Sequence, residues 1–271
     1  MKKKLSQSLP APAGTSGRRK LPFLLAIMAC LFFPILCLNG KNHPTMVSTS
    51  QIAMDPGGKW LSTESVKRYG SMSIREAMSE SDEEAQKLVV EVLSPLIGHL
   101  KTAYPIESVR KEFVKISTAL PIITTVAPKY NSIAFTGHPD PECKKSAIFI
   151  NAVNVRIRLR WALVTFGEQA GIAYMEDLLA MMILHEGYHA LNQGFIGQAE
   201  AEKVYHYEAE CWIYTCQMIE RIKGAGRGDN LLGGIASMLE TAIYEQYQKS
   251  GRPEKVTPDW AVFIKSCYVS L

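Results

Sequence analysis

Hydrophobic and polar positions change rhythm several times along this chain. Residues 21–38 form an apolar run without a single charge. Over residues 82–103 the apolar positions Leu88, Val89, Val92, Leu93, Leu96, Ile97 and Leu100 recur at helical spacing. Asp82, Glu83 and Glu84 stand at the start of that stretch, where a helix dipole favours negative charge. A second helix is expected over 106–117. The rhythm then shortens. Residues 121–135 are rich in Ile, Thr, Val and Tyr with prolines between, and read as strands and turns; 136–143 is a loop of turn residues, and 147–152 a short apolar strand. Val155, Ile157 and Leu159 alternate with Arg156, Arg158 and Arg160, the pattern of a half-exposed strand with arginines on its solvated face. From Tyr174 the pattern is helical again. An almost wholly apolar helix is expected over 174–192, a second over 198–223 and, after a glycine-rich break at 224–228, a third over 231–249.

The run at 21–38 bears on where the rest of the chain works. At about 1.5 Å of rise per residue its eighteen residues reach about 27 Å, enough for a bilayer's hydrocarbon core. It exceeds the usual signal-peptide stretch of about 7–15 residues, and Leu38 makes the site before Gly40 a poor one for cleavage. Lys2, Lys3, Lys4, Arg18, Arg19 and Lys20 precede it, and a basic flank stays on the cytoplasmic side. The expectation is a single-pass cell-membrane anchor with the following domain on the outer side, periplasmic or extracellular. A cleaved signal peptide with a secreted product is the alternative. A lipoprotein signal at Cys30 and a twin-arginine signal at Arg18 and Arg19 fit less well, because apolar residues follow Cys30 and Leu21-Pro22 breaks the second pattern.

The formal net charge of +4 is partly local to that basic flank, and no aromatic-basic stripe follows, so the chain carries no nucleic-acid signal. With 271 residues, 47% of them hydrophobic, it holds one sizeable domain or at most two small ones. Residues 1–20 read as a basic disordered tail and 39–73 as a linker or loosely packed leading segment. Cys143, Cys211, Cys216 and Cys267 lie beyond the anchor. An exported chain could pair them in three ways, or keep them as buried free thiols. Cys211 and Cys216, five apart on a helix, point about 140° apart and do not suit a mutual bond.

Within the apolar helix stands His185-Glu186-Gly187-Tyr188-His189, the H-E-x-x-H spacing. Histidines four apart lie one turn apart on one face, so both imidazoles can reach one metal. Glu186 can reach a zinc-bound water and take its proton, since zinc lowers that water's pKa from about 15.7 to about 7. Two ordinary core histidines would leave two imidazoles and a carboxylate uncompensated in an apolar helix; a metal compensates all three. A third ligand should follow. The third-histidine pattern of the metzincins fails, because Asn192 and Phe195 occupy its Gly and His positions. Glu208 follows His189 after eighteen intervening residues, on the next helix. Glu210 is its rival. Two residues on is about 200° around the helix, so both cannot face the metal, and the spacing favours Glu208. Tyr205 and His206 are candidates to stabilise an oxyanion, and His138 reads as a loop residue. Gly187 costs about 1 kcal/mol against alanine inside a helix, a hint of close backbone approach. A di-iron bundle would need a second E-x-x-H, and none was found.

These residues resemble the gluzincins, zinc peptidases that join H-E-x-x-H to a downstream glutamate. The gap before Glu208 is similar to that of the one-zinc aminopeptidases. Glu208 to Thr215 resembles the E-x-x-A-D-x-F-A helix of membrane-associated gluzincins, with Cys211, Trp212, Tyr214 and Thr215 at the last positions. Trp212 stands where that pattern has Asp, which removes a partner for a zinc-ligating histidine. The exopeptidase signature is absent, and the likeness covers about residues 178–218. It implies an α+β, zincin-like domain over 74–271, a small twisted sheet packed on the active-site helix with helices around it. An edge strand near Ile148 to Val153 would line the cleft and accept an extended peptide. It implies Zn2+ as cofactor, held by His185, His189 and Glu208, with Glu186 as catalytic base and a peptide or protein as substrate. A non-catalytic metal-binding scaffold at the membrane is the alternative; the presence of Glu186, a base that a purely structural site does not need, speaks for the enzyme.

Overall fold

The computed structural model describes residues 45–46, 59–126, 132–137, 146–193, 201–231 and 238–269. The run at 21–38 lies outside them, and with it the anchor and its alternatives, as do His138 and Cys143. Among the described residues no helix is long and apolar enough to cross a membrane.

Helices dominate, and short polar signals start them. Ser62 caps α1 (Thr63–Ser71), Ser73 and Glu76 form a reciprocal capping box on α2 (Ile74–Ala77), and Ser81 caps α3 (Asp82–Leu88). α1 occupies part of the stretch that the sequence reads as a linker. The reason is a few large apolar side chains: Trp60, Leu61 and Tyr69 are buried, too few for a periodic signal yet enough to fix the chain to the core. α3 passes through a π-helical turn, Val89–Leu93, into α4 (Ser94–Thr102), and α5 (Glu107–Ala119) follows. The two helices expected at 82–103 and 106–117 are therefore present, the first in three pieces.

The sheet comprises β1 (Thr45–Met46), β2 (Ile122–Thr125), β3 (Ala134–Gly137) and β4 (Ala147–Asn151), in the order β1-β2-β4-β3. β2 and β4 run parallel with Ile122 opposite Ile148, and the other two pairs are antiparallel. β4 is thus central and bonded on both sides, which corrects the expectation of an edge strand near Ile148 to Val153. All of its residues are buried, as a strand with two neighbours and two covered faces requires. Ile148 and Ile150 join the main core, while Phe149 stacks on Phe135 beside Ile123 and Ala147. Among the described strands the edge next to β4 falls to β3.

Asn151 caps α6 (Ala152–Tyr188), which begins where an arginine-lined strand is expected. That expectation is corrected. Val155, Leu159, Ala162 and Leu163 are buried on one helical face, and the window 155–160 is too short to separate a period of 2 from one of 3.6. Arg156 is buried rather than solvated, donating to the carbonyls of Ala77 and Ser79, and Arg160 donates to the carbonyl of Met72. α6 breaks its line at Gly167, whose φ of 78° and ψ of 177° belong to glycine alone. Beyond it every residue from Tyr174 to Gly187 is buried. At Gly187 a Cβ would stand 2.4 Å from Ile116 Cγ2 of α5, so the close approach hinted at by a glycine in mid-helix is real.

A π-helical turn, His189–Gln193, ends this run, and α7 (Ala201–Gly224) packs back against α6. α8 (Met238–Lys249) and α9 (Pro258–Val269) pack on α7. Cys211, Cys216 and Cys267 are buried free thiols.

Candidate metal centre

The last turns of α6 and the middle of α7 bring His185, Glu186, His189 and Glu208 together. All four are buried, none more than 4% exposed. His185 Nε2 and His189 Nε2 lie 3.3 Å apart. The Glu208 carboxylate approaches both, Oε2 at 3.7 Å from His185 Nε2 and Oε1 at 3.5 Å from His189 Nε2. Ligand atoms about 2.0–2.1 Å from a tetrahedral zinc lie about 3.3 Å from one another; the two nitrogens have that spacing, and the carboxylate completes the triangle by facing them with a different oxygen toward each.

The hydrogen bonds behind the imidazoles decide where their protons sit. Thr215 donates its only hydroxyl proton to the Cys211 carbonyl at 2.9 Å, so toward His185 Nδ1, also at 2.9 Å, it can only accept. Nδ1 therefore carries the proton and Nε2 presents its lone pair. His189 is oriented the same way. Its Nδ1 lies 2.5 Å from Gln193 Oε1, an acceptor only, and the amide is fixed because Nε2 donates to the Tyr207 carbonyl and to Glu210 Oε2, each at 3.0 Å. Two lone pairs and a carboxylate thus converge on one point, a donor set that fits a cation. The π-helical turn places Gln193 one turn beyond His189, a use of that geometry common at functional sites.

The electrostatics favour positive charge at this point. Burial disfavours charge on both imidazoles, but negative charge on Cys211 and Glu208 holds their proton affinity above the ordinary histidine range, so protons occupy the lone pairs when no metal does. Burial likewise works to raise the Glu208 carboxyl, and the two histidines hold it well below the usual carboxylate range. Burial raises Glu186, against the pull of His185 and His189. Thr136 Oγ1 of β3 lies 2.9 Å from both Glu186 Oε2 and the Glu186 carbonyl, and its one proton serves either, so the strand holds this residue by side chain or backbone.

Glu210 stands apart from the triangle, accepting from Tyr188 and Gln193. The carboxylate that competes with Glu208 in sequence is thus a support for His189 at one remove. Tyr205 lies under the Lys265 ammonium, and His206 is exposed on a cavity of about 410 Å3 that Tyr188, Glu210, Tyr214 and Glu254 also line. Neither is among the side chains that converge on the triangle.

Three members of the site were not visible as such in the sequence. Thr215 takes the place of the partner that Trp212 removes. Gln193 sits in a stretch with no motif. Tyr268, on α9, donates to Glu208 Oε2 at 2.8 Å and accepts from Trp212 Nε1 at 2.9 Å. Burial, and then the Glu208 carboxylate, hold its hydroxyl well above the ordinary tyrosine range, so it stays a donor. No protein-family model, curated protein or solved structure matches the chain.

Proposed function

We propose that the chain is a zinc-dependent peptidase of the gluzincin type, with His185, His189 and Glu208 as metal ligands and Glu186 as general base. The observation that carries this reading is the pair of Nε2 atoms 3.3 Å apart with the Glu208 carboxylate facing both, Oε2 at 3.7 Å from His185 and Oε1 at 3.5 Å from His189. A zinc ion held there supplies Lewis acidity, bringing a coordinated water to a pKa of about 7 and polarising a carbonyl.

Glu186 supplies the proton transfers. Thr136 Oγ1 lies 2.9 Å from Glu186 Oε2 and holds in place the carboxylate, which would take a proton from the attacking water and hand it to the leaving amine. Burial raises the proton affinity of this carboxylate, which suits the task. β3, which holds Thr136, is one of the two edges among the described strands, so a peptide paired with it would run alongside the strand that carries Thr136. The uncharged run at 21–38 and its basic flank support attachment to a membrane with the domain on the outer side.

The burial of all four side chains favours one rival, a metal-holding scaffold without catalysis. Glu186 separates the two. Metal analysis of the purified protein should find about one zinc per chain, lost in His189→Ala. Glu186→Gln should keep the zinc while cleavage of a peptide library falls by about 10²-fold or more. A library cut equally well by wild type and Glu186→Gln would leave the scaffold standing.

A further inference from the structure

The face of α7 that meets α6 carries Glu208, Cys211 and Thr215, at i, i+3 and i+7. Glu208 belongs to the triangle and Thr215 orients His185. Between them Cys211 is fully buried, and its Sγ lies within 4.8 Å of one ring nitrogen of each histidine, the two nitrogens being as close to each other. Its thiol donates to the His185 carbonyl at 3.1 Å, which holds the sulfur beside the imidazoles. Cys216 and Cys267 are packed into the apolar core; Cys211 is not part of that cluster.

We propose that Cys211 is a fourth ligand of the centre, completing a donor set of two nitrogens, one oxygen and one sulfur. This rests on the metal-site reading above. On coordination the Sγ–H bond breaks, the proton passes to solvent, and the sulfur exchanges its hydrogen bond to the His185 carbonyl for a bond to the metal. Zinc holds sulfur at about 2.3 Å and nitrogen at about 2.0–2.1 Å, which sets sulfur and nitrogen about 3.5 Å apart. The sulfur and the two nitrogens already lie within 4.8 Å of one another, so side-chain rotation alone would bring them to those spacings. Four protein ligands would close the centre at rest, so the water that the proposed mechanism needs would gain the metal only when Cys211 leaves it. A thiolate also biases the site toward zinc and cadmium over manganese and magnesium.

Cobalt(II) added to the metal-stripped full chain tests this. At one cobalt per chain the wild type should show an intense ultraviolet thiolate-to-cobalt charge-transfer band. Cys211→Ser should still bind cobalt, lose the band, and lose more affinity for cadmium than for manganese. Cobalt bound by the wild type without the band overturns the fourth ligand and leaves His185, His189 and Glu208 standing. A band that survives in Cys211→Ser belongs to another cysteine and overturns it as well. No cobalt bound at all overturns both readings. Zinc-edge X-ray absorption on the wild type reads the same bond without any variant: sulfur at about 2.3 Å supports the proposal, and a shell of nitrogen and oxygen alone overturns it.

Discussion

The second half of α6 buries two charged clusters in succession, and they are neutralised in opposite ways. In the first, Glu176 and Asp177 meet Arg227, whose guanidinium approaches the two carboxylates at 2.6 and 3.0 Å. Trp60 donates to Glu176 and Tyr104 to Asp177, so nearly every oxygen is engaged. Arg227 is delivered by the turn after α7, where Gly226 and Gly228 adopt φ of 72° and 81°. The second cluster comes nine residues later with His185 and Glu186. There no lysine or arginine of the described residues pairs with Glu186 or Glu208, and two imidazoles, which can hold a proton or a metal, face the Glu208 carboxylate instead. Buried charge of one sign has to be compensated. The chain brings its own cation to the first cluster; at the second, on the proposed reading, the cation comes from outside.

The largest effect that would sharpen this contrast is the response of stability to zinc. At about a thousand times its dissociation constant, zinc should raise the unfolding free energy by about 4 kcal/mol, and a chelator should remove the gain. Urea unfolding with and without chelator measures it. His189→Ala should abolish the increment and Arg227→Met should leave it intact. An undiminished increment in His189→Ala would put the cation elsewhere and dissolve the contrast.

Next in size is the first cluster itself. Arg227→Met leaves two buried carboxylates without their cation and should lower stability by about 3 kcal/mol, zinc present or absent. Adding Glu176→Gln and Asp177→Asn to it should recover much of the loss, because removing both signs of charge together is close to neutral. If the single and triple variants unfold at the same urea concentration, charge compensation is not what Arg227 supplies.

What the sequence made legible follows the same division. The two histidines and Glu186 are local, set by one turn of one helix, and any chain with that spacing displays them. Glu208 is one helix away but lies in a run whose order is preserved, so spacing could reach it. Cys211 and Thr215 were in view as residues and invisible as neighbours of the site, because their roles depend on which face of α7 meets α6. Tyr268 is sixty residues from Glu208, and no local pattern carries that distance. α9 itself had a signal, Trp260, Ile264 and Tyr268 buried at i, i+4 and i+8, which the reading of the chain did not take up. The arginine row failed for a different reason. In the short window 155–160 both periods fit, and Arg156 finds backbone carbonyls for its Nε and Nη2 inside the core.

A smaller effect tests the bonds that set the imidazole protons. Thr215→Val keeps the shape of the side chain and removes the acceptor behind His185 Nδ1. Zinc affinity should fall by about 10- to 100-fold in competition with a chromophoric chelator, with little change in the stability of the metal-free protein. Gln193→Leu should act in the same direction through His189. An unchanged affinity in both would mean that the ring orientations are held by packing alone.

The smallest effect concerns Glu210, the carboxylate that rivals Glu208 in sequence. It touches no atom of the triangle; it holds Gln193 Nε2 and the Tyr188 hydroxyl, and Gln193 in turn holds His189. Glu210→Gln keeps an acceptor of the same size, so what is lost is the extra strength of a hydrogen bond to a charged group, about 1 kcal/mol or less at a half-buried site. Passed on through Gln193, that should weaken zinc binding by less than about tenfold. The same change at Glu208 removes a ligand and should cost most of the zinc. Measured side by side in a chelator competition, the two variants sharpen the contrast between a carboxylate that meets the cation and one that stands behind it. A loss of zinc in Glu210→Gln as complete as in His189→Ala would make Glu210 the ligand. It would require α7 to turn by two residues against α6, moving Thr215 and Cys211 off the face where both now meet His185.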